Sequence, residues 1–495
     1  MTASLPVLVL LTSLVPSVAT FFLREESRTL RNALNLGAAV LKLALIAFML
    51  TEVARGALYE TRFEFAPGLY LLLRVDALAL LFVTLSGVLW LLTTIYAIAY
   101  FRDGPNLSRF FGFFSLCVFA TTGIALSGSL ITFFIFYELL TLSTWPLVTH
   151  KGDAKSLRAG ASYLTYSLPG SAALLFAIVW LESTTGPIAF AEPADLRLLD
   201  DASLRAIFAL FIAGLGVKAA LLPLHGWLPG AMAAPAPVSA LLHAVAVVKA
   251  GAFGIVRIVY DVFGIALVHE IGMGTPLALL ASATILYGSA RALAQSDIKR
   301  RLAYSTVSQV SYIVLGAALA GPFATIGGLA HLVHQGLMKI TLFFCAGIFA
   351  ERAGIEKIAD LDGIGPRMPW TATAFSIGAM GMIGIPPISG FVSKWYLGLG
   401  GLEVGAPWVV AVLAASALLN ATYFLPLLYR IWFRTAPPHA RGAPDVPLTP
   451  LERPLGLIAP PVLTASAALA TGLFAAAAFS PLGWSTLIVQ RFYLP

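Results

Sequence analysis

Residues 216–251 read GVKAALLPLHGWLPGAMAAPAPVSALLHAVAVVKAG. Two apolar stretches meet at a run rich in proline, and each carries a lysine, Lys218 in the first and Lys249 in the second. An ionisable group at mid-bilayer costs roughly 3 kcal/mol or more on insertion scales, and one that persists there marks function by default. Pro223 lacks an N–H and, inside a helix, clashes with the carbonyl four residues back, that of Ala219. The stretch therefore reads as a broken membrane helix with Lys218 beside the break. Such a defect is tolerated at membrane depth only where protein or water meets the freed backbone groups.

The pattern returns downstream. GIPPISGFVSKW (384–395) places Lys394 after Pro386, Pro387 and Gly390, and HLVHQGLMKITLF (331–343) sets His331, His334 and Lys339 in one apolar run. Upstream, ITFFIFYELLTLSTW (131–145) holds a lone acid, Glu138. The chain of 495 residues is 59% hydrophobic and 11% charged, with a mean hydropathy of +0.88. Soluble domains carry about 25% charged residues, so this is an all-α polytopic membrane protein. The formal charge of +7 belongs to loops on one side of the membrane, and nucleic acid is not an expected partner. Cys117 and Cys345 sit in apolar runs without CxxC spacing, so no disulfide framework, zinc site or iron–sulfur cluster is read. With no phosphate-binding glycine loop and no redox ligands, no cofactor is expected. The driving force must come from an ion gradient or from partners.

About 20 apolar residues cross the hydrocarbon as a helix, and runs of that kind number about fourteen. They begin with 4–23, which lacks the basic flank of a cleaved signal. The seventh covers 204–225, the eighth 237–262, the twelfth 369–398 and the fourteenth 456–480. Between the second and third, YETRFEFAPGLYLLLRVD (59–76) alternates around Pro-Gly and predicts a small hairpin. Residues 186–203 read as an interfacial loop, and 435–454 as a proline-rich extramembrane loop. Arginine and lysine follow spans 1, 3, 5, 9, 11 and 13. The positive-inside rule then puts those loops in the cytoplasm and both termini outside it.

A faint internal repeat pairs LLHAVAVVKAGAF (241–253) with HLVHQGLMKITLF, and LLPLHGWLPG (221–230) with GIPPISGFVSKW. The natural units are 1–108, an N-terminal set of three helices with the hairpin; 109–262, spans 4–8; 273–433, spans 9–13; and 434–495, a polar loop and the last helix. Five crossings are odd, so the second unit enters upside down. Two inverted five-helix repeats with breaks in spans 7 and 12 form a transporter architecture, with sites at the discontinuous helices. The tenth span, YSTVSQVSYIVLG, offers no acid to mirror Glu138.

Glu138 is the one mid-membrane acid of the first unit, hence the expected counter-ion of Lys218. A lysine whose distance to a carboxylate changes becomes a switchable proton acceptor; the residues also admit a static ion pair. Lys249 lies too near mid-span to snorkel to an interface. His243 is six residues away, about 9 Å along a helix and off its face, so a water chain or a helix distortion must bridge the two. His331 and His334 share a face and titrate in the physiological range, which suits a proton wire better than haem ligation. Lys339 extends that wire, and Lys394 reads as its end toward one surface. His225, beside Pro223 and Trp227, either binds the loop backbone or lines an entry path.

Taken together, FYELL (136–140), the stretch 216–251, QSDIKRRLAYSTVSQVSYIVLG (295–316), HLVHQGLMKITLFFCAG (331–347) and GIPPISGFVSKWYL (384–397) resemble the antiporter-like subunits of respiratory complex I and of Mrp-type cation/proton antiporters. The resemblance covers roughly spans 3–13. It implies fourteen helices, two inverted repeats and a hydrophilic axis in the membrane plane. By motif, Glu138 and Lys218 become the modulating pair, Lys249 the central lysine, His334 and Lys339 the relay of span 11, and Lys394 the exit residue. Lysine at 394 favours the Mrp D-type or hydrogenase-module subunits. No long lateral helix follows span 14 here, unlike the largest complex I member. The expected function is proton translocation within a multisubunit complex of the inner membrane of a prokaryote. Its partners are other membrane subunits, H+, Na+ or K+, and lipid. A stand-alone solute transporter and an inert membrane anchor of a redox complex are the rival readings.

Overall fold

A computed structural model describes residues 4–66, 69–102, 104–190, 192, 194–435, 451, 452 and 454–493. Helices α1 (Leu5–Phe21), α2 (Arg28–Ala54) and α3 (Ala77–Phe101) frame an antiparallel hairpin of β1 (Tyr59–Ala66) and β2 (Leu69–Val75). Tyr59 pairs with Val75 and Glu64 with Tyr70, so the expected hairpin is present, while its Pro67–Gly68 pair lies outside the described residues. Next come α4 (Leu107–Leu126), α5 (Leu130–Val148), α6 (Ala154–Thr185) and α7 (Asp201–Ala219). Their starts follow local chemistry. Asp76, Ser129, Asp153 and Asp200 each accept a backbone N–H from the first turn of the helix they precede, satisfying one of the donors a helix start leaves open.

The middle of the chain holds α8 (Trp227–Gly230), α9 (Ala236–Ala244) and α10 (Val247–Arg257), which continues as a π-helix over Ile258–Phe263. Then follow α11 (Ile265–Glu270), α12 (Gly274–Leu293), α13 (Ile298–Leu319), α14 (Pro322–Ala353), α15 (Pro369–Ile383) and α16 (Ser389–Glu403). Last come α17 (Trp408–Phe433), α18 (Leu455–Leu473) and α19 (Pro481–Tyr493). Among the described residues twelve helical segments are long and apolar enough to cross a membrane. Two expected spans fall short: α1 has 17 residues, and 369–398 divides into α15 and α16 of 15 each. Helix α19 was not expected, since the last span was placed at 456–480. Most of the proline-rich loop, 436–450, lies outside the described residues.

Burial sorts the helices. The apolar windows of Ala236–Phe263, α13 and α14 are 94% buried or more, whereas those of α2, α17 and α18 are 33% buried or less. The first three are enclosed on all sides, and the others turn most of their apolar surface outward, toward lipid or a partner.

Three breaks matter. Helix α7 ends at Ala219, and Ala220 takes the left-handed conformation (φ 56°). Pro223 is thus not inside a helix, as expected, but in the turn after one. Its missing N–H and ring are accommodated because the chain has already left helical geometry. The expected continuous span 237–262 is also interrupted: α9 stops at Ala244 and α10 starts at Val247. There the carbonyl of Leu241 accepts both Val245 N (3.1 Å) and Ala246 N (2.9 Å), an i→i−5 bond superimposed on the normal ladder. The third break, 384–388, falls where Pro386 and Pro387 sit, with Gly384 (φ 99°) closing α15. Only glycine adopts that angle without strain.

Candidate functional site

Lysine 218 occupies the last turn of α7, and its side chain is 1% exposed. The ammonium donates to the carbonyl of Tyr137 on α5 and lies 3.2 Å from the centroid of the Tyr137 ring. A ring face and a carbonyl are both electron-rich, so the cation is held by dipoles. Glu138 turns away: it is partly buried and accepts a hydrogen bond from Ser171 of α6. Among the described residues no ion pair joins Glu138 to Lys218. Glu138, the expected counter-ion, is thus a charged neighbour of Lys218 and not its direct partner, each group having its own hydrogen bond.

Glycine 251, two residues beyond Lys249, explains how α7 and α10 approach. A Cβ there would collide with Ala219 N, and would meet Leu215 O at 2.7 Å and Lys218 C at 2.8 Å. The backbone of α10 therefore packs directly on the end of α7. Lys249 is fully buried, and its ammonium has no hydrogen-bond partner in the protein. It does not reach a surface, so snorkelling is excluded. His243 is buried on the other side of the α9/α10 break, with both ring nitrogens unpartnered and its ring 4.6 Å from that of Phe343. The break lies between His243 and Lys249, where the sequence left open a water chain or a helix distortion.

Helix α14 brings three more groups. His331 Nδ1 lies 2.8 Å from Ser393 Oγ of α16, while its Nε2 is unpartnered. His334 makes no well-formed hydrogen bond at either nitrogen, the Ser389 backbone being its polar neighbour. Lys339 donates to Ser305 Oγ and, at 3.4 Å, to Leu302 O, both on α13. Lys394, on α16 just past the third break, donates to Met382 O (2.7 Å) and Ile383 O (3.0 Å), the last carbonyls of α15. A cation at helix-terminal carbonyls is electrostatically favoured. His225 is set apart from these, partly exposed, with its ring 5.0 Å from that of Tyr287.

Apart from Gln309, which the sequence already shows as a polar residue of the tenth span, several groups carry no such signal. Gln309 on α13 and Gln335 on α14 are fully buried, with both amide atoms unpartnered. Tyr312 has its ring 5.0 Å from His331 and 5.4 Å from the Lys394 ammonium, and donates to Ser416 (2.7 Å). Asn420 donates to Met382 O (3.1 Å), the carbonyl that also holds Lys394. Glutamine, tyrosine and asparagine are uncharged and common in helices, so only a polar residue inside an apolar run could have drawn notice to them. Lys42 was missed although it carried that signal, standing in NLGAAVLKLALIAFML (35–50).

These positions form a band through α7, α9, α10, α13, α14 and α16 in which buried polar groups outnumber their protein partners. Nearly all buried polar groups in proteins are hydrogen-bonded, to protein or water. The orphaned nitrogens of Lys249 and His243 therefore call for water. Such a band can accept, hold and pass hydrogen ions. Among the described residues no group of three or more His, Cys, Asp or Glu is placed to hold a metal.

A family described as NADH:quinone oxidoreductase/Mrp antiporter, TM, matches residues 127–420. NADH-quinone oxidoreductase subunit N of Desulforudis audaxviator is 35% identical over 490 residues, covering 96% of each chain. Hydrogenase-4 component B of Escherichia coli is 32% identical over 84% of this chain and 65% of its own length. The D-type subunit of the Na(+)/H(+) antiporter of Bacillus subtilis is 27% identical over 70% of this chain and 71% of its own. In three dimensions, a chain of the Mrp complex from Dietzia superimposes with a TM-score of 0.85 at 24% identity, covering 100% of this chain and 98% of that one. A chain of an archaeal membrane-bound sulfane sulfur reductase superimposes at 0.82, also at 24% identity, over 99% and 98%. Both superpositions establish the membrane fold.

Proposed function

Since this chain belongs to the NADH:quinone oxidoreductase/Mrp antiporter transmembrane family, we propose that it is a proton-translocating subunit of a multisubunit membrane complex. Its relatives are named as subunits or components of quinone oxidoreductases, hydrogenases and cation/proton antiporters. Proton movement is coupled either to cation exchange or to redox chemistry in partner subunits. The observation that carries this reading is the Lys249 ammonium, fully buried and unpartnered between two helix breaks.

Protons enter near Glu138 and Lys218, cross by Lys249, His243 and the α14 groups His334 and Lys339, and leave near Lys394; His331 and His225 flank this route. In the low dielectric of the interior two ammonium groups repel strongly. A proton arriving at one lysine therefore favours release from the next, and occupancy couples distant steps. The two five-helix units, inverted with respect to one another, and the cytoplasmic placement of the basic loops belong to the same proposal. The test is Lys249→Ala in the assembled complex in sealed vesicles. Loss of a proton-relay group lowers rate by more than about tenfold, so proton uptake is expected to fall by at least that much with assembly intact. Unchanged uptake and ion exchange would rule the route out.

A further inference from the structure

The first four helices hold a second line of buried polar groups that the axis through α7–α16 does not use. On α2 the inward stripe includes Arg31, Asn35 and Lys42, each at most 1% exposed. Their spacings, four and seven residues, keep one helix face. The line begins at Glu25, whose side chain is 47% exposed and lies 3.8 Å from the Arg31 guanidinium. Glu25 also accepts the backbone N–H groups of Leu107 (2.8 Å) and Ser108 (3.1 Å) at the start of α4. Arg31 donates to Ser108 Oγ at 3.0 Å. One turn deeper, Asn35 accepts from Ser115 Oγ of α4 (2.6 Å) and donates to Thr20 Oγ1 of α1 (3.4 Å).

At the inner end stands Lys42. Its ammonium donates to Thr122 Oγ1 of α4 (2.5 Å) and Ser13 Oγ of α1 (3.3 Å), and lies 5.1 Å from the Trp90 ring of α3. Among the described residues no carboxylate pairs with it, and the groups facing it from α1, α3 and α4 are hydroxyls and an indole, none of them charged. Eleven residues of helix separate Lys42 from Arg31, about 16 Å, roughly half of a hydrocarbon core of about 30 Å. Beyond it, on α3, the Ser86 hydroxyl and the Trp90 indole N–H are buried without partners. Helix α3 in turn packs against α9 and α14, the elements that carry His243 and His334.

A buried cation without a carboxylate gives poor return in stability, since an apolar residue of similar volume is often as good or better. We propose that Lys42 is a proton-holding site at the inner end of a side branch. This branch is filled from the Glu25 mouth through the Ser, Thr and Asn groups of α1, α2 and α4, and faces the main axis across α3. It rests on the reading of the chain as proton-translocating.

The experiment compares Lys42→Met, Lys42→Arg, Thr122→Val and Lys249→Ala in the assembled complex in sealed vesicles, following the proton gradient with a pH-sensitive dye across a pH series. Arginine keeps the charge but does not release its proton. Both Lys42 variants are therefore expected to assemble yet lose roughly tenfold or more of the proton flux, with an altered pH profile. Rescue of flux by arginine would assign Lys42 a fixed-charge packing role and overturn the branch. Wild-type flux in both Lys42 variants, with Lys249→Ala inactive, overturns the branch and leaves the main axis standing. Full flux in Lys249→Ala overturns the reading beneath it. If the Lys42 variants fail to assemble, Thr122→Val decides, because it removes one hydroxyl at constant volume: reduced flux supports the branch, and unchanged flux overturns it.

Discussion

Three buried lysines show how one side chain is held in three ways. Lys218 rests on a tyrosine ring and carbonyl, Lys42 on two hydroxyls, and Lys249 on nothing in the protein. None is paired with a carboxylate, so each can change protonation without breaking an ion pair. A titratable group outside the spans gives a test at the same scale. His150, just past α5, is half-buried between the rings of Phe101 (5.7 Å) and Phe110 (5.2 Å). Burial first, and the positive charge of Arg109 second, push its pKa down from 6.5 to about 4, against a smaller pull upward from Glu25. Between those values the unfolded chain binds the proton and the folded chain does not, so stability declines as pH falls through that window. The thermal midpoint of the solubilised complex should drop between about pH 6.5 and about pH 4. His150→Phe should flatten that drop, and an unaltered slope in the variant would show that other groups control it.

Among elements, what matters is where helices stop and how closely they approach. The third break was legible, because Pro386 and Pro387 cannot continue a helix. The break between Ala244 and Val247 was not, since AVAVV holds no proline or glycine. Packing on α9 and α10 from their neighbours overrides a locally helical sequence there. Local propensity ranks well below tertiary context in such a case. The approach of α10 to α7 depends on Gly251, where a Cβ has no room against the α7 backbone. Gly251→Val is expected to force the helices apart at a cost of about 1–3 kcal/mol. It should reduce proton flux while the membrane still contains the protein. Wild-type flux in this variant would mean that the spacing between Lys218 and Lys249 is not critical.

Over the whole molecule, a buried cluster ties the N-terminal helices to the centre. Arg257, 1% exposed, pairs with Asp76 before α3 and with Asp261 in the π-helix, both at 2.7 Å. Nearby, Arg74 of β2 pairs with Glu60 (2.8 Å) and Glu192 (2.5 Å). Removing Arg257 leaves two acids uncompensated, a loss of about 3–5 kcal/mol when one partner of a buried pair is deleted. Arg257→Leu should therefore deplete this chain from the assembled complex, as read by quantitative blotting of purified membranes, whereas Arg55→Leu at an exposed pair (2.9 Å) should not. Equal recovery of both variants would make the cluster dispensable. Read as a linear string, the residues specify the class of protein, nearly all the spans, the hairpin and the ionisable groups stranded within apolar runs. Hydropathy and proline chemistry act over one or two helical turns, so they are written locally. Which groups meet is set by packing alone. Glu138 bonds Ser171 and not Lys218, Lys42 belongs to a column of hydroxyls, and Lys249 stands without a partner. Those outcomes depend on how helices far apart in the chain rotate and pack against each other, which no single run of residues encodes.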